Sequence, residues 1–161
     1  MLRAPSATRR RLKEPLTITD SELDQGLELL TGASTTGSQL HFSLSRRADL
    51  VLIGMTSTPI GVDVETLASS EIIAEVGPLL HAAERAEMRA AAPSRRAHVF
   101  TSIWTRKEAY RKGIGVGITA DLAADYLGAD RQAATPRGWT VITVPVAPGY
   151  AAAAAIRRPA P

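Results

Sequence analysis

Trp104-Thr105-Arg106-Lys107-Glu108-Ala109-Tyr110-Arg111-Lys112 reads as one uninterrupted helix. Residues four apart lie above one another on a helix, so Trp104, Glu108 and Lys112 set an aromatic, a carboxylate and an ammonium in a single row. Gly113-Ile114-Gly115-Val116-Gly117 follows at once and is expected to end the helix, since glycine takes the left-handed conformation a C-terminus needs. Alone, Glu108 and Lys112 are an ordinary surface pair worth about 0.3 to 0.5 kcal/mol. A second stretch upstream, Ile60-Gly61-Val62-Asp63-Val64-Glu65, gives them another meaning.

That stretch closes a run of strand-like pattern. Leu40, Phe42 and Leu44 alternate with His41, Ser43 and Ser45, which predicts a strand with one apolar face. Residues 50–55 are apolar, Thr58-Pro59 turns the chain, and residues 60–65 resume as a strand, so an antiparallel meander is expected. In the last strand Ile60, Val62 and Val64 face one side; Gly61, Asp63 and Glu65 face the other. Asp63 and Glu65 therefore project together, about 6 to 7 Å apart along the strand. Two arrangements fit. In one, the carboxylates are the wet face of a strand and never meet Glu108. In the other, the core lays the helix against the sheet and all three converge. Two carboxylates about 4 Å apart would then repel by roughly 4 kcal/mol at an effective dielectric near 20. A hard divalent cation removes that cost, and Mg²⁺ suits an all-oxygen site that also receives phosphate oxygens.

Elsewhere the reading is coarser. Residues 1–14 form a basic arm, and Asp20 caps a short helix running to Leu30. Ser69 or Ser70 caps a helix holding Ile72, Ile73 and Val76, interrupted at Gly77-Pro78. Residues 79–92 are helical by composition, and Ser94 is the expected cap of the long helix. Residues 122–127 are read as a strand. Residues 139–144 and 150–156 form a hairpin about Pro145 to Gly149, and its alanine run is read as strand because a Pro-Gly turn precedes it. Glu84 is assigned first to a helix surface and only second to an auxiliary polar role. His41, His81 and His98 are too scattered for a metal site. Gly113 to Gly117 lack the strand–loop–helix order of a dinucleotide site.

Bulk properties agree with an ordinary globular chain. It has 161 residues, 45% hydrophobic and 22% charged. There is no cysteine, hence no disulfide frame and no thiolate chemistry, which suits the cytoplasm. A net charge of +3 favours anionic partners without choosing among them. No membrane span and no signal-peptide core are seen, and the basic arm lacks the aromatic interleaving of a nucleic-acid surface. Neither membrane nor nucleic acid is an expected partner.

Together, residues 61–65 and 104–112 resemble the paired signature of the 4′-phosphopantetheinyl transferases, most closely the larger, Sfp-type class. The likeness extends to His41-Phe42-Ser43-Leu44-Ser45, to Gly115 and Gly117, and to residues 139–156. It implies an α+β fold of antiparallel sheets with packed helices, in two pseudo-equivalent halves of which the first is reduced. The domain reading is a flexible arm over 1–14, a reduced N-terminal half over 15–58, and a C-terminal half over 59–157 that carries both motifs. The resemblance implies transfer of 4′-phosphopantetheine from coenzyme A to a serine of an acyl- or peptidyl-carrier protein. The alternative is a catalytically weak homologue that binds coenzyme A or a carrier. Asp63, Glu65 and Glu108 would hold Mg²⁺, Glu108 would help deprotonate the serine, and Lys112 would neutralise the departing 3′,5′-ADP. Ser45, Arg46, Lys107 and Lys112 would contact coenzyme A. Arg46 stands where the family usually has histidine, and Arg47 competes with it because neighbours on a strand point oppositely. The reduced front implies that Leu40, Phe42, Leu44 and residues 50–55 are left uncovered. Self-association through the reduced N-terminal half, or weak coenzyme A binding in the monomer, is the expected result.

Overall fold

The structure, a computed structural model, describes residues 40–116, 121–130 and 136–159. The expected arm over 1–14 and the expected helix from Asp20 lie outside these residues. So does most of the reduced half.

Among the described residues eight strands and α-helices follow in order: β1 (His41–Arg47), β2 (Leu50–Thr56), β3 (Ile60–Thr66), α1 (Ser70–Val76), α2 (Ala82–Ala90), α3 (Arg96–Ile114), β4 (Trp139–Thr143) and β5 (Tyr150–Arg157). The α+β class with antiparallel sheets stands. The meander does not. β1 and β2 pair as a hairpin around Ala48-Asp49, while β3 joins a separate sheet of order β3-β5-β4. The hairpin still meets β3, through side chains. Ser43 Oγ accepts from Val62 N at 3.0 Å and Ser45 Oγ from Val64 N at 3.2 Å, so two serines replace a missing ladder.

β5 lies between its neighbours, and the alanines at 151–155 are all buried. Their smallness is what brings the layers together. Register sets Ala155 beside Gly61 and Val141, and Ala153 beside Asp63 and Thr143. Ala153, Ala155, Val141 and Trp139 cluster with Ala109 of α3, which fixes this as the helix-covered face. The opposite face carries Ile60, Val62 and Ala154, packed with Leu52 of the hairpin. Gly61 permits the closest approach. A Cβ there would stand 2.0 Å from Ala109 O and 2.4 Å from Gly113 N. Gly61→Ala is therefore expected to destabilise by about 3 kcal/mol, the upper end for overpacking, because backbone blocks both escapes. Urea unfolding checks this, and a loss below about 1 kcal/mol would mean that α3 can retreat.

The glycine run ends α3 as expected, and two other expectations are corrected. The helix runs through Gly113, which is glycine because a Cβ there would lie 2.6 Å from the Trp139 ring. Gly115, at φ 73°, makes the left-handed stop, with its N–H and that of Val116 returning to Lys112 O and Arg111 O. Ser94 caps nothing, since a 3₁₀ turn over Pro93–Arg95 leads into α3. Residues 121–130 contain no strand. Their carbonyls serve side chains of α3 instead: Arg106 Nε donates to Leu127 O at 3.0 Å, Arg111 Nη2 to Asp121 O at 2.7 Å, and Lys107 Nζ to Asp125 O. The hairpin's outer face remains apolar and exposed at Leu40, Phe42, Val51, Ile53 and Met55.

Candidate functional site

The second half of α3 is buried almost all the way round, at Arg106, Lys107, Glu108, Ala109 and Arg111. A buried charge needs a partner, so this helix sorts its charges by direction. Glu108 and Lys112 face β3. Lys112 Nζ reaches Asp63 Oδ1 at 2.7 Å and Val62 O at 3.2 Å. Asp63 Oδ1 also accepts from Ser45 Oγ at 2.9 Å, so the hydroxyl that holds β1 to β3 also fixes this carboxylate. Glu65, half-buried, pairs with Arg47, Nε to Oε2, at 2.9 Å.

Among the described residues two carboxylate oxygens have no partner. Asp63 Oδ2 and Glu108 Oε1 are buried and make no hydrogen bond. An unpaired buried carboxylate oxygen is costly, and that cost favours the protonated form. Burial, and then the neighbouring charge of Asp63, push the Glu108 carboxyl above the usual range, against the opposing pull of Arg111 and Lys112. Glu65 is likewise raised, by burial first; Arg47 pulls it down and Asp63 pushes it up. The three carboxylates thus feel one another across the helix–sheet seam. Among the described residues no three acidic or histidine side chains are gathered at ligating distance. The donor chemistry nevertheless fits a hard cation: all oxygen, with two buried oxygens lacking any other partner. Beside Glu65 a cavity of about 390 Å³ opens between Arg47, Leu67, Ile72, Phe100 and Trp104. Trp104 stacks on Phe100 at 6.3 Å between ring centroids, and so braces α3 as well as walling this cavity.

Of the residues singled out in the sequence, Ser45, Asp63, Glu65, Glu108 and Lys112 meet here. Arg46 and Lys107 do not. Strand alternation turns Ser45 and Arg47 towards β3 and Arg46 to the other face, so Arg47 is the arginine at the site. Lys107 points off another flank of α3, where its ammonium is 3.0 Å from Glu84 Oε2 and almost wholly buried. Burial lowers the Lys107 pKa, and Glu84 offsets that in part.

The surface assignment of Glu84 is overturned. It is fully buried, and besides Lys107 it accepts from His81 N at 3.1 Å, Leu127 N at 2.9 Å and Gly128 N at 3.2 Å. A signal existed: Glu84 stands three residues after His81, the spacing of a capping box, and the box is formed. Nothing local marked its second partnership, with a segment more than forty positions away.

The model of the 4′-phosphopantetheinyl transferase superfamily matches residues 59–145. The chain belongs to that superfamily. It is 31% identical over 80 residues to the 4′-phosphopantetheinyl transferase gsp of Aneurinibacillus migulanus, a match spanning 49% of this chain and 33% of that protein. The chain thus spans about a third of the length of this curated relative. Among solved structures, it is similar to a holo-(acyl-carrier-protein) synthase from Bacillus anthracis in complex with CoA (3′,5′-ADP). That likeness has 22% identity and a TM-score of 0.47, over 63% of this chain and 97% of the other.

Proposed function

We propose that this chain moves the 4′-phosphopantetheine arm of coenzyme A to a serine of an acyl- or peptidyl-carrier protein, releasing 3′,5′-ADP. The observation that carries this is the pair of buried, partnerless oxygens, Asp63 Oδ2 and Glu108 Oε1, beside the Lys112 ammonium and within the family-matched segment. Asp63, Glu65 and Glu108 are the residues to hold Mg²⁺, whose charge offsets theirs and that of the pyrophosphate oxygens. The serine oxygen bonds to the phosphorus bearing pantetheine, and the phosphorus–oxygen bond to 3′,5′-ADP breaks. The serine proton goes to Glu108, directly or through water. Lys112 steadies the phosphate that leaves.

Arg47 is the better candidate to grip coenzyme A. When a cation engages Glu65, the Arg47 fork is released for a phosphate. Arg47→Ala is expected to raise KM for coenzyme A about tenfold, the worth of one charge-assisted hydrogen bond, while Arg46→Ala leaves it unchanged. The exposed apolar face of the β1–β2 hairpin supports self-association. Sedimentation is expected to show a dimer that Phe42→Ser with Ile53→Ser dissociates; a wild-type monomer at high concentration would remove this reading. No helix among the described residues is long and apolar enough to cross a membrane, and a cytoplasmic setting is the one proposed.

The deciding experiment is intact-mass measurement of an apo-carrier protein after incubation with the chain, coenzyme A and Mg²⁺. Gain of the prosthetic arm is expected. Binding of coenzyme A or carrier without added mass would support a binding-only homologue, and neither binding nor transfer would overturn both.

A further inference from the structure

We propose that Arg85, Arg89 and Arg96 form a seat for a small, multiply charged oxyanion of the phosphate class, separate from the carboxylate site. They surround a cavity of about 430 Å³ whose remaining walls are Gly77, Pro78 and Met88. No acidic residue lines it, and it shares no lining residue with Asp63, Glu65 or Glu108. The seat does not depend on the transfer reaction.

Three guanidinium groups around one hollow is an arrangement that a helix surface normally avoids. Arg85 and Arg89 stand at i and i+4 on α2, a like-charge pair that weakens the helix. Arg96 adds a third charge at the first residue of α3, where the helix dipole is already positive and no side-chain cap bond is made. The carboxylates of α2 do not relieve them. Glu84 is spent on Lys107 and the 127–128 amides, and Glu87 accepts from Tyr126 OH at 2.5 Å and Ala129 N at 2.9 Å. Among the described residues Arg89 and Arg96 have no ion pair or hydrogen bond, and both are exposed. Arg85 is held in place, with Nη1 donating to Pro78 O at 2.9 Å and Leu80 O at 3.3 Å. One fixed fork and two free ones suit an ion with several oxygens, since guanidinium binds phosphate through paired N–H groups. Concavity and volume favour a small ion over a protein surface. Pro78 and Met88 leave an apolar wall for an organic group attached to it.

The test is a calorimetric titration of the whole chain with sodium pyrophosphate, in a chelator so that no divalent metal contributes. The variant is Arg89→Ala with Arg96→Ala; Arg85 is kept because it ties down the 78–80 turn. Wild type is expected to bind one pyrophosphate, more weakly as salt rises. The double variant should bind at least tenfold more weakly with an unchanged melting temperature. Lys112→Ala should bind like wild type, which separates this seat from the carboxylate site. Equal affinity in wild type and the double variant, or no binding by wild type, would overturn the proposal. An arginine-dependent response to a polyglutamate peptide with none to pyrophosphate would make the seat a protein-docking surface, and would overturn it too.

Discussion

Glu84→Ala is expected to leave the chain largely unfolded at 37 °C. The carboxylate is fully buried, and its loss strands the Lys107 ammonium together with the amides of His81, Leu127 and Gly128. Breaking a buried ion pair by removing one partner costs roughly 3 to 5 kcal/mol, because the other charge is left without compensation. A domain of this size has on the order of 5 to 15 kcal/mol in all. Two amides in the 127–128 turn lose their acceptor at the same time, so residues 121–130 should detach from α3 as well. A second variant keeps this testable if the first fails to fold. Glu84→Ala with Lys107→Met replaces a broken pair by an apolar one, and should recover a large part of the loss. Urea unfolding of both proteins checks it. A single variant within about 1 kcal/mol of wild type would show that water enters to solvate Lys107.

β3, α3 and the β4–β5 hairpin were legible in the sequence because each carries its own period or its own turn. The alanines at 151–155 fit helix or strand locally, and the preceding Pro148-Gly149 turn decided correctly for strand. Partner choice was not legible. β1, β2 and β3 look like a meander, yet β3 pairs with β5, ninety residues on, since register is fixed by nonlocal burial. Residues 122–127 are mostly apolar, but Arg106, Lys107 and Glu84 claim backbone groups of Asp125 and Leu127 and leave no ladder. Asp63, Glu65, Glu108 and Lys112 were singled out by strand alternation and i,i+4 spacing and Ser45 by the family likeness alone, which also supplied the roles proposed for all five. Arg46 was preferred over Arg47 by alignment to a motif, whereas the alternation of the strand favours Arg47. Lys107 and Glu84 were missed as a pair because the family likeness assigned Lys107 to coenzyme A and Glu84 read as a charge on the surface of its own helix. Only the burial of both brings them together.

Glu108→Gln is expected to move activity and stability in opposite directions. Transfer should fall by about 10²- to 10⁴-fold, the range for losing a general base, with loss of a cation oxygen added. Without metal, the same change should stabilise the fold at neutral pH. Glu108 is buried with one oxygen unpaired, and burial together with Asp63 raises its pKa above the ordinary 4.5. The sign follows from linkage. The folded chain holds this proton more tightly than the unfolded chain, so the group's contribution is fully present below about pH 4.5 and is lost as pH rises through the raised folded value. Glu65 is raised in the same direction and adds to the trend. The difference in unfolding free energy between Glu108→Gln and wild type should therefore grow from pH 5 towards pH 7.5. Mg²⁺ should shrink that difference by stabilising wild type more than the variant, since only folded wild type keeps every carboxylate for the cation. Urea unfolding at both pH values, with and without Mg²⁺, reads stability, and the mass assay reads transfer. A variant that turns over like wild type would remove Glu108 from the reaction. One that is less stable than wild type at pH 7.5 without metal would show that Glu108 Oε1 has a partner holding the seam closed.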